Sequence, residues 1–572
     1  MKKPFILLFS LFSFMIFSFS CSQESNHQFE NLTNNYLEVF LQTNPEWATQ
    51  LGDHRYDNQV YDYSESAIFA ERDNAIQYLD SLEKINTDKL SKNNHIDYQI
   101  LKSHLQYTIF AIDTLQEHTW NPRAYNVGYG IYGLIARDFA PLDERLKSVK
   151  ARLEKIPSIL AQAKIQLNNP PKIHIETAIL QNKGNISLIN NDLEKFLDNK
   201  PLLREEIKDA RGIAIAALED YGKWLEEDLL PKSDGNFRLG DDKWRRKLYY
   251  TVGSDFTKEQ ILESAEKDLQ LTKNVMYATA SPLYEKFFNK KASNNKSEVI
   301  KAVLDKLAED RPTNKTIVEL AEKTLASTTA FVHANDLVTV PDEPLQIIVM
   351  PEFQRGVAVA YCDSPGPLEK SAETFYSISP TPKDWSAERT ESFFKEYNNY
   401  MLKDLTVHEA MPGHYLQLAH SNRFKAPTLI RSIFYSGTFV EGWATYAEQL
   451  MVEFAYGGNE LKMQQLKMRL RLLINSIIDQ KIHTAGMTEE EALQLMMNEG
   501  FQEEGEAVGK WRRACMSSTQ LSTYYVGNME INDLRRAYEA KHGRDIDIKS
   551  MHDQILSFGS PPPKYIKQLL EL

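Results

Sequence analysis

Two histidines flank a proline-glycine pair in the stretch His408 to His414, which reads His-Glu-Ala-Met-Pro-Gly-His. In an undistorted helix, a separation of six positions turns the second side chain by about 240° net and moves it about 9 Å along the axis. The two histidines could then not reach one ion. Proline cannot keep its backbone hydrogen bond inside a helix, and glycine accepts unusual dihedral angles. We therefore predict that the helix breaks at Pro412-Gly413 and that His414 swings back toward His408.

Two histidines and a carboxylate form many hydrolytic zinc sites, in which three protein ligands hold Zn²⁺ and a fourth position takes water. The third ligand is predicted on a second helix, from Phe439 to Leu450, which contains Glu441-Gly442-Trp443. Glu441 is favoured because the glycine beside it lets a backbone or a substrate come close. Glu448, two turns later on nearly the same face, stays open as a competing ligand or as a partner that orients one. The sequence predicts a Zn²⁺ site of His408, His414 and Glu441.

Further candidates concern the reaction itself. The side chain of Glu409 diverges from that of His408, so Glu409 is predicted to be the general base. Hydrolysis also needs a donor for the developing oxyanion, and either a tyrosine hydroxyl or an arginine could supply it, although both could simply pack on a helix. Tyr524 and Arg513 are the predicted pair, with Tyr525 and Arg512 as alternatives. His552 could support the site, but a structural role is favoured.

Most of the chain recurs at helical spacing, without a fixed repeat that would indicate a solenoid. The predicted helices before the motif are Phe29 to Leu41, Ala67 to Ile85, Asp97 to Thr114, Asp143 to Gln166, His174 to Leu197, Leu202 to Leu229 and Lys258 to Phe288. We divide the chain into an N-terminal helical region, 29–336, and a catalytic region, 337–572.

Near Leu337 the pattern changes to short runs rich in β-branched residues, separated by prolines. The runs are Leu345 to Met350, Gly356 to Tyr361 and Glu373 to Ile378. They predict a small antiparallel sheet next to the metal-binding helix. Val357 to Tyr361 is the predicted edge strand that pairs with an extended substrate, and an internal strand is the alternative.

The first residues indicate an exported protein. Residues 1–20 combine a basic start with an apolar run that is typical of a signal peptide. Cys21 follows small residues, as in bacterial lipoproteins, and 21–28 would be the lipidated cysteine and its tether; ordinary secretory cleavage is the alternative. The remaining cysteines, Cys362 and Cys515, could form one bridge, but two buried thiols are favoured. A net charge of -13 argues against nucleic acid as a partner.

The motif stretches His408 to His414 and Glu441 to Ala444 resemble a widespread bacterial family of poorly characterised lipoproteins. That family is known as a domain of unknown function and is regarded as related to gluzincin-type zinc metallopeptidases. The likeness extends to Asn44 to Tyr56, Gln520 to Gly527 and His552 to Pro563, and so to nearly the whole mature chain. Many members carry a further histidine where this chain has Tyr415.

The resemblance implies a mainly α, two-lobed, metallopeptidase-like fold in which His408, His414 and Glu441 hold zinc and Glu409 is the base. We expect a lipid-anchored zinc metallopeptidase of the bacterial cell envelope that acts on short peptides and contacts the membrane only through Cys21. Another zinc amide hydrolase and a catalytically silent envelope binding protein are the alternatives. The sequence gives no oligomeric state.

Overall fold

The computed structural model describes residues 5–350, 359–369, 373–382, 385–543 and 545–572, with the backbone alone over 5–22. Helices dominate these residues, which confirms the predicted mainly α class. Before the sheet, the helices are α1 (Phe5–Thr43), α2 (Pro45–Leu51), α3 (Glu65–Leu82), α4 (Lys92–Phe110), α5 (Glu117–Trp120), α6 (Gly128–Ala136), α7 (Leu142–Leu153), α8 (Ile156–Gln166), α9 (Lys172–Ser187), α10 (Leu193–Leu197), α11 (Pro201–Lys223), α12 (Asp241–Val252), α13 (Lys258–Phe288), α14 (Lys296–Leu307) and α15 (Ile317–Ala334).

Helical structure resumes after the sheet and builds the motif region. These helices are α16 (Ala387–Glu396), α17 (Asn399–Glu409), α18 (His414–Arg423), α19 (Ile430–Ile433), α20 (Gly437–Glu453), α21 (Gly458–Ala485), α22 (Glu489–Gln494), α23 (Glu504–Met516), α24 (Ser522–His542), α25 (Ile548–Leu556) and α26 (Pro563–Leu569).

The predicted helices differ from the structure mainly at their ends. The span from Asp143 to Gln166 is two helices, because a new helix, α8, starts with Pro157 in its first turn. At the amino end, α1 runs through 21–28, the range predicted to be a tether. Signal cleavage and lipidation there stay predictions. Within the described residues, no helix is both long and apolar enough to cross a membrane.

The sheet corrects one prediction, because it is mixed rather than antiparallel. Its strands are β1 (Leu345–Val349), β2 (Ala360–Asp363) and β3 (Thr374–Ile378), in the order β1-β3-β2. Chain direction does alternate along the sequence, but β3 inserts between the other two strands. It therefore runs parallel to β1 and antiparallel to β2. The predicted edge falls partly on 357–358, which lie outside the described residues, while Ala360 and Tyr361 are in the edge strand β2.

The hydrophobic cores join early and late parts of the chain. One core combines residues of α12, α13 and α14 with residues of α21, α23 and α24. Another combines α1 to α4 with α19. A third surrounds the motif and draws on α15, the sheet, α17 and α20. The division at 336/337 stays a prediction, and buried apolar side chains from both sides of it pack together.

Candidate metal centre

The helix break between the two histidines forms as predicted. α17 ends at Glu409 and α18 begins at His414. The turn between them folds back onto α17, because Gly413 N donates a hydrogen bond to Val407 O at 2.9 Å. A Cβ built on Gly413 would lie only 1.9 Å from His408 O. Glycine is thus required by the close approach of two backbone segments.

Two buried histidines and a partly buried glutamate converge across this break. Glu441 Oε2, on α20, lies 3.6 Å from His408 Nε2 and 3.5 Å from His414 Nε2. The two imidazole rings are nearly perpendicular, at 85°, with centroids 4.7 Å apart. One donor atom from each residue lies within 4.8 Å of the others. Tetrahedral zinc, with bonds of about 2.0–2.1 Å, would separate its ligand atoms by roughly 3.3 Å, which is close to the two distances from Glu441 to the imidazoles.

Hydrogen bonding and charge also fit a cation at this point. Glu441 Oε2 is buried and has no hydrogen-bond partner in the described part of the chain. Burial alone would raise the pKa of Glu441, but the imidazoles of His408 and His414 lower it below its usual range. The site therefore presents an ionised, buried carboxylate oxygen between two imidazole nitrogens, which is a zinc-type donor set.

Glu448 contacts the far side of His408. Its Oε1 lies 2.6 Å from His408 Nδ1, whereas Glu441 faces Nε2. Burial would lower the pKa of His408, but the two glutamates raise it well above its ordinary value. Asp404, one turn earlier on α17, is buried, and burial together with the charge of Glu448 raises its pKa well above the usual range. This geometry separates the two candidate glutamates: Glu448 orients His408 and lies outside the three converging donors.

Glu409 points from the end of α17 toward the sheet. Its Oε2 accepts a hydrogen bond from the backbone N–H of Cys362, in β2, at 3.0 Å. Burial raises the pKa of its carboxyl group. Ser379 N donates to Val359 O, and in the alternating antiparallel pattern Ala360 and Cys362 then direct their backbone groups away from β3. The outer edge of β2 therefore faces the predicted base.

Trp443 ties α20 to the helix break. Its Nε1 donates to Pro412 O at 2.9 Å, and its ring meets that of His552 edge-on at 5.4 Å. His552 is held by Leu337 O and by the hydroxyl of Tyr446, at 2.7 and 2.8 Å. This favours the structural role for His552. The role of Trp443 was missed, because the sequence marks it only as the neighbour of Gly442.

Comparison with known proteins identifies the chain. A family model described as "Bacterial protein of unknown function (DUF885)" matches residues 45–570. The chain belongs to the DUF885 family. No curated protein matches its sequence.

Solved structures resemble this DUF885 chain over nearly its full length. A protein from Shewanella oneidensis, provisionally named a lipoprotein of unknown function, is 34% identical with a TM-score of 0.81, covering 95% of this chain and 100% of that one. A provisionally named lipoprotein from Colwellia psychrerythraea is 17% identical, with a TM-score of 0.77 and coverage of 96% and 98%. Metallocarboxypeptidase 1 of Trypanosoma cruzi has a TM-score of 0.39 at 10% identity, with coverage of 96% and 99%.

The four predicted Tyr and Arg candidates of this DUF885 chain divide into two pairs. The hydroxyl of Tyr525 bonds Asp268, and Arg512 pairs with Glu176, so this pair is engaged elsewhere. Arg513 Nη2 donates to the hydroxyl of Tyr524 at 3.1 Å. Burial and the charge of Glu441 raise the pKa of Tyr524. Tyr524 lies three residues before Gly527, whose backbone packs against Gly442, next to Glu441.

Two further positions complete the surroundings of the site. Tyr415, where many family members have histidine, donates its hydroxyl to Glu343 O at 2.5 Å and is buried. It therefore turns away from the three donors. Tyr435, just before α20, is 47% exposed, and the charge of Glu441 adds to burial in raising its pKa. Tyr435 also lines a cavity of about 940 Å³ against α4 and α12. No motif marked it, since only the fold brings it there.

Proposed function

We propose that this DUF885 protein is a zinc-dependent peptide hydrolase. The observation that carries the proposal is the convergence of His408, His414 and Glu441 on one buried point, with Glu409 next to it in sequence. A zinc ion held by these three residues would supply Lewis acidity at an open fourth position. The remaining chemistry belongs to side chains of the chain itself.

Glu409 is the proposed general base. Its carboxylate accepts a proton from the attacking water and then delivers that proton to the leaving amine. The hydrogen bond from Cys362 N fixes one carboxylate oxygen, so the other is available for proton transfer. The burial that raises the pKa of Glu409 makes the carboxylate a stronger base than an exposed glutamate.

The substrate carbonyl needs a donor as negative charge develops on its oxygen. Tyr524 is proposed for this role, and Arg513 holds the tyrosine hydroxyl in place. An extended short peptide would pair with the outer edge of β2 through the backbone groups of Ala360 and the carbonyl of Cys362, since the Cys362 N–H is bonded to Glu409. The scissile bond would then pass between the edge strand and the metal ligands.

We also propose that the protein works in the bacterial cell envelope, anchored through a lipidated Cys21. The names of the two similar bacterial proteins support an anchor of this kind. A Cys21→Ala variant expressed with its leader should no longer incorporate labelled palmitate and should move from the membrane to the soluble fraction. Unchanged labelling and fractionation would exclude an anchor at this cysteine.

The test of the reaction compares wild-type protein with Glu409→Gln. Zinc-loaded wild type should cleave members of a peptide library, lose activity on chelation and regain it with zinc. Glu409→Gln should keep its zinc, measured by mass spectrometry, while losing activity by about 10²–10⁴-fold, the usual contribution of a general base. Glu322→Gln, at an exposed carboxylate on α15, is the matched control and should match wild type.

Two results would end the proposal. In the first, wild-type protein with stoichiometric zinc cleaves no peptide and Glu409→Gln changes no measured activity. The protein would then be a binding protein without catalytic activity. Cleavage of simple amides without cleavage of peptides would instead indicate another zinc amide hydrolase.

A further inference from the structure

One face of α23 carries charged side chains toward the candidate metal centre. Glu506, Lys510 and Arg513 are spaced four and three residues apart, so they lie on the same side of this helix. Arg513 Nη2 donates a hydrogen bond to the hydroxyl of Tyr524 at 3.1 Å. Glu506 accepts a hydrogen bond from the hydroxyl of Tyr397 at 3.1 Å. Lys510 lies between Glu506 and Arg513 on this face of α23.

Positive charge exceeds negative charge around this face. Arg471 pairs with Glu396 at 2.5 Å and with Glu506 at 3.7 Å, and Lys467 pairs with Glu396 at 2.9 Å. Adding Lys510 and Arg513 gives four basic side chains against the two carboxylates of Glu396 and Glu506. The whole chain carries a net charge of -13. A cluster with more basic than acidic side chains, which extends from the interior to the exposed Arg513, is suited to bind an anion.

Within this cluster, Lys510 gives the strongest indication of a bound anion. It is only 9% exposed, and its ammonium has no hydrogen-bond or ion-pair partner among the described residues. Burial, reinforced by the charges of Arg513 and Arg471 and opposed by Glu506, lowers the pKa of Lys510 to about 7. The side chain is largely buried, but its Nζ keeps some contact with solvent and can be reached by a ligand. Holding such an ammonium without a counter-ion costs free energy. A ligand that supplies the missing negative charge explains why this position is a lysine.

We propose that Lys510 and Arg513 bind a carboxylate group of the substrate beside the metal centre. Arg513 uses Nη2 to contact Gln520 and Tyr524 and has no carboxylate paired with it in the described residues, so its Nε and Nη1 can donate to a carboxylate.

Tyr524 lies three residues before Gly527, whose backbone packs against Gly442, next to Glu441. The contact of Arg513 with Tyr524 therefore places this subsite on the side of the metal centre where α24 crosses α20. The inference rests on the proposed peptidase function and adds a substrate class: peptides with a carboxylate close to the cleaved bond.

A peptide can offer that carboxylate from its C-terminus or from an acidic side chain, and the experiment separates these sources. Three peptides of one cleaved sequence are compared: the free acid, its C-terminal amide, and the amide with glutamate in place of glutamine near the bond. Wild type should bind one acidic form with a KM at least about tenfold below that of the neutral amide, as expected for a desolvated charge pair. In Lys510→Met that difference should vanish, with a smaller change in kcat.

Measurements of Tm distinguish a ligand-binding role of Lys510 from a purely structural one. Lys510→Met removes an unpaired buried charge, so its Tm should equal or exceed that of wild type, whereas a purely structural lysine would lower Tm on replacement. Lys510→Arg should keep most of the preference for the acidic peptide. Lys315→Met, at an exposed lysine, should keep all of it.

A binding experiment makes the inference independent of catalysis. N-acetyl-phenylalanine should raise the Tm of wild type, its amide should not, and Lys510→Met should respond to neither. If the acid stabilises a protein that cleaves nothing, the peptidase proposal fails and the carboxylate subsite stands. If peptides are cleaved without regard to carboxylates and neither compound raises Tm, the subsite is wrong and the peptidase proposal stands.

Discussion

At the scale of single residues, Gly413 decides whether the two histidines can meet. A Cβ there would lie 1.9 Å from His408 O and 2.4 Å from Val407 O, and neither backbone atom can give way while α17 stays helical. We expect Gly413→Ala to separate His414 from His408 and to reduce bound zinc well below one ion per chain. Zinc content measured by mass spectrometry after dialysis checks this.

Gly437→Ala is the matched control, because a Cβ at this position in the first turn of α20 meets nothing within 4 Å. It should bind zinc like wild type. A Gly413→Ala variant with full zinc content would show that the backbone approach does not position the ligands.

Residue spacing predicted the break and the converging trio, since proline and glycine act through local geometry. The sequence favoured Glu441 through the glycine beside it but left Glu448 open, because both lie on nearly one face of α20. The choice depends on how α20 is rotated against α17, and only packing sets that rotation. The same limit applied to Tyr524 and Tyr525, which are adjacent in sequence and point to different neighbours.

At the scale of elements, α20 and α24 cross with almost no space between their backbones. A Cβ on Gly527 would lie 2.2 Å from Thr438 O and 2.6 Å from Gly442 Cα. This crossing brings Tyr524, three residues before Gly527, close to Glu441. We expect Gly527→Ala to push the helices apart, lowering Tm by several degrees and cutting peptide hydrolysis at least about tenfold through misplacement of Tyr524. Calorimetry and kcat/KM measure the two effects.

Gly509→Ala offers the comparison, because a Cβ at this position of α23 meets nothing within 4 Å. It should leave Tm and kcat/KM near the wild-type values. If Gly527→Ala did the same, the glycine crossing would have no part in positioning Tyr524.

A buried carboxyl on α24 makes stability depend on pH. Ser254 donates to Glu530 at 2.6 Å, and burial, with Asp255 and Asp533 adding and Lys564 opposing, raises the pKa of Glu530 to about 7 from its ordinary 4.5. Between these values the folded protein holds a proton that the unfolded chain has released. Stability from this group is therefore lost as pH rises from about 4.5 to about 7, by up to about 3 kcal/mol.

Glu530→Gln should remove that dependence, since an amide oxygen can still accept from Ser254. We expect its Tm relative to wild type to rise from pH 5 to pH 8 in calorimetric scans. Glu263→Gln, at an exposed carboxylate on α13, should follow the wild-type curve. A Tm difference between Glu530→Gln and wild type that is the same at both pH values would contradict the raised pKa.

At the scale of elements, the order of the strands in the sheet is a feature that hydrophobic periodicity does not predict. Runs of β-branched residues between prolines located the strands well. Strand order depends on which strand fills the centre, and a run of five residues carries no such signal. β3 is the central strand, and its residue Tyr376 is fully buried. β2 is therefore an edge strand, and it faces Glu409.

At the scale of the whole molecule, a buried ion pair connects the N-terminal helices to the region that contains the candidate metal centre. Arg431 of α19 and Asp97 of α4 are both 0% exposed, with Nε and Oδ1 2.6 Å apart. Thr428 donates to the second carboxylate oxygen at 2.6 Å, and Arg431 also donates to Asn93 O at 2.8 Å. No sequence pattern pairs residues so far apart, so this link was beyond prediction.

Asp97→Ala would leave the Arg431 guanidinium buried without its counter-ion, and we expect it to destabilise the fold by about 3–5 kcal/mol. Denaturant unfolding followed by tryptophan fluorescence measures the loss. The double variant Asp97→Leu with Arg431→Met should recover most of it, because two apolar side chains remove the unpaired charge. Lys301→Ala breaks an exposed pair with Asp305 and should change stability by less than about 1 kcal/mol. If Asp97→Ala behaved like Lys301→Ala, the buried pair would not hold the two halves together.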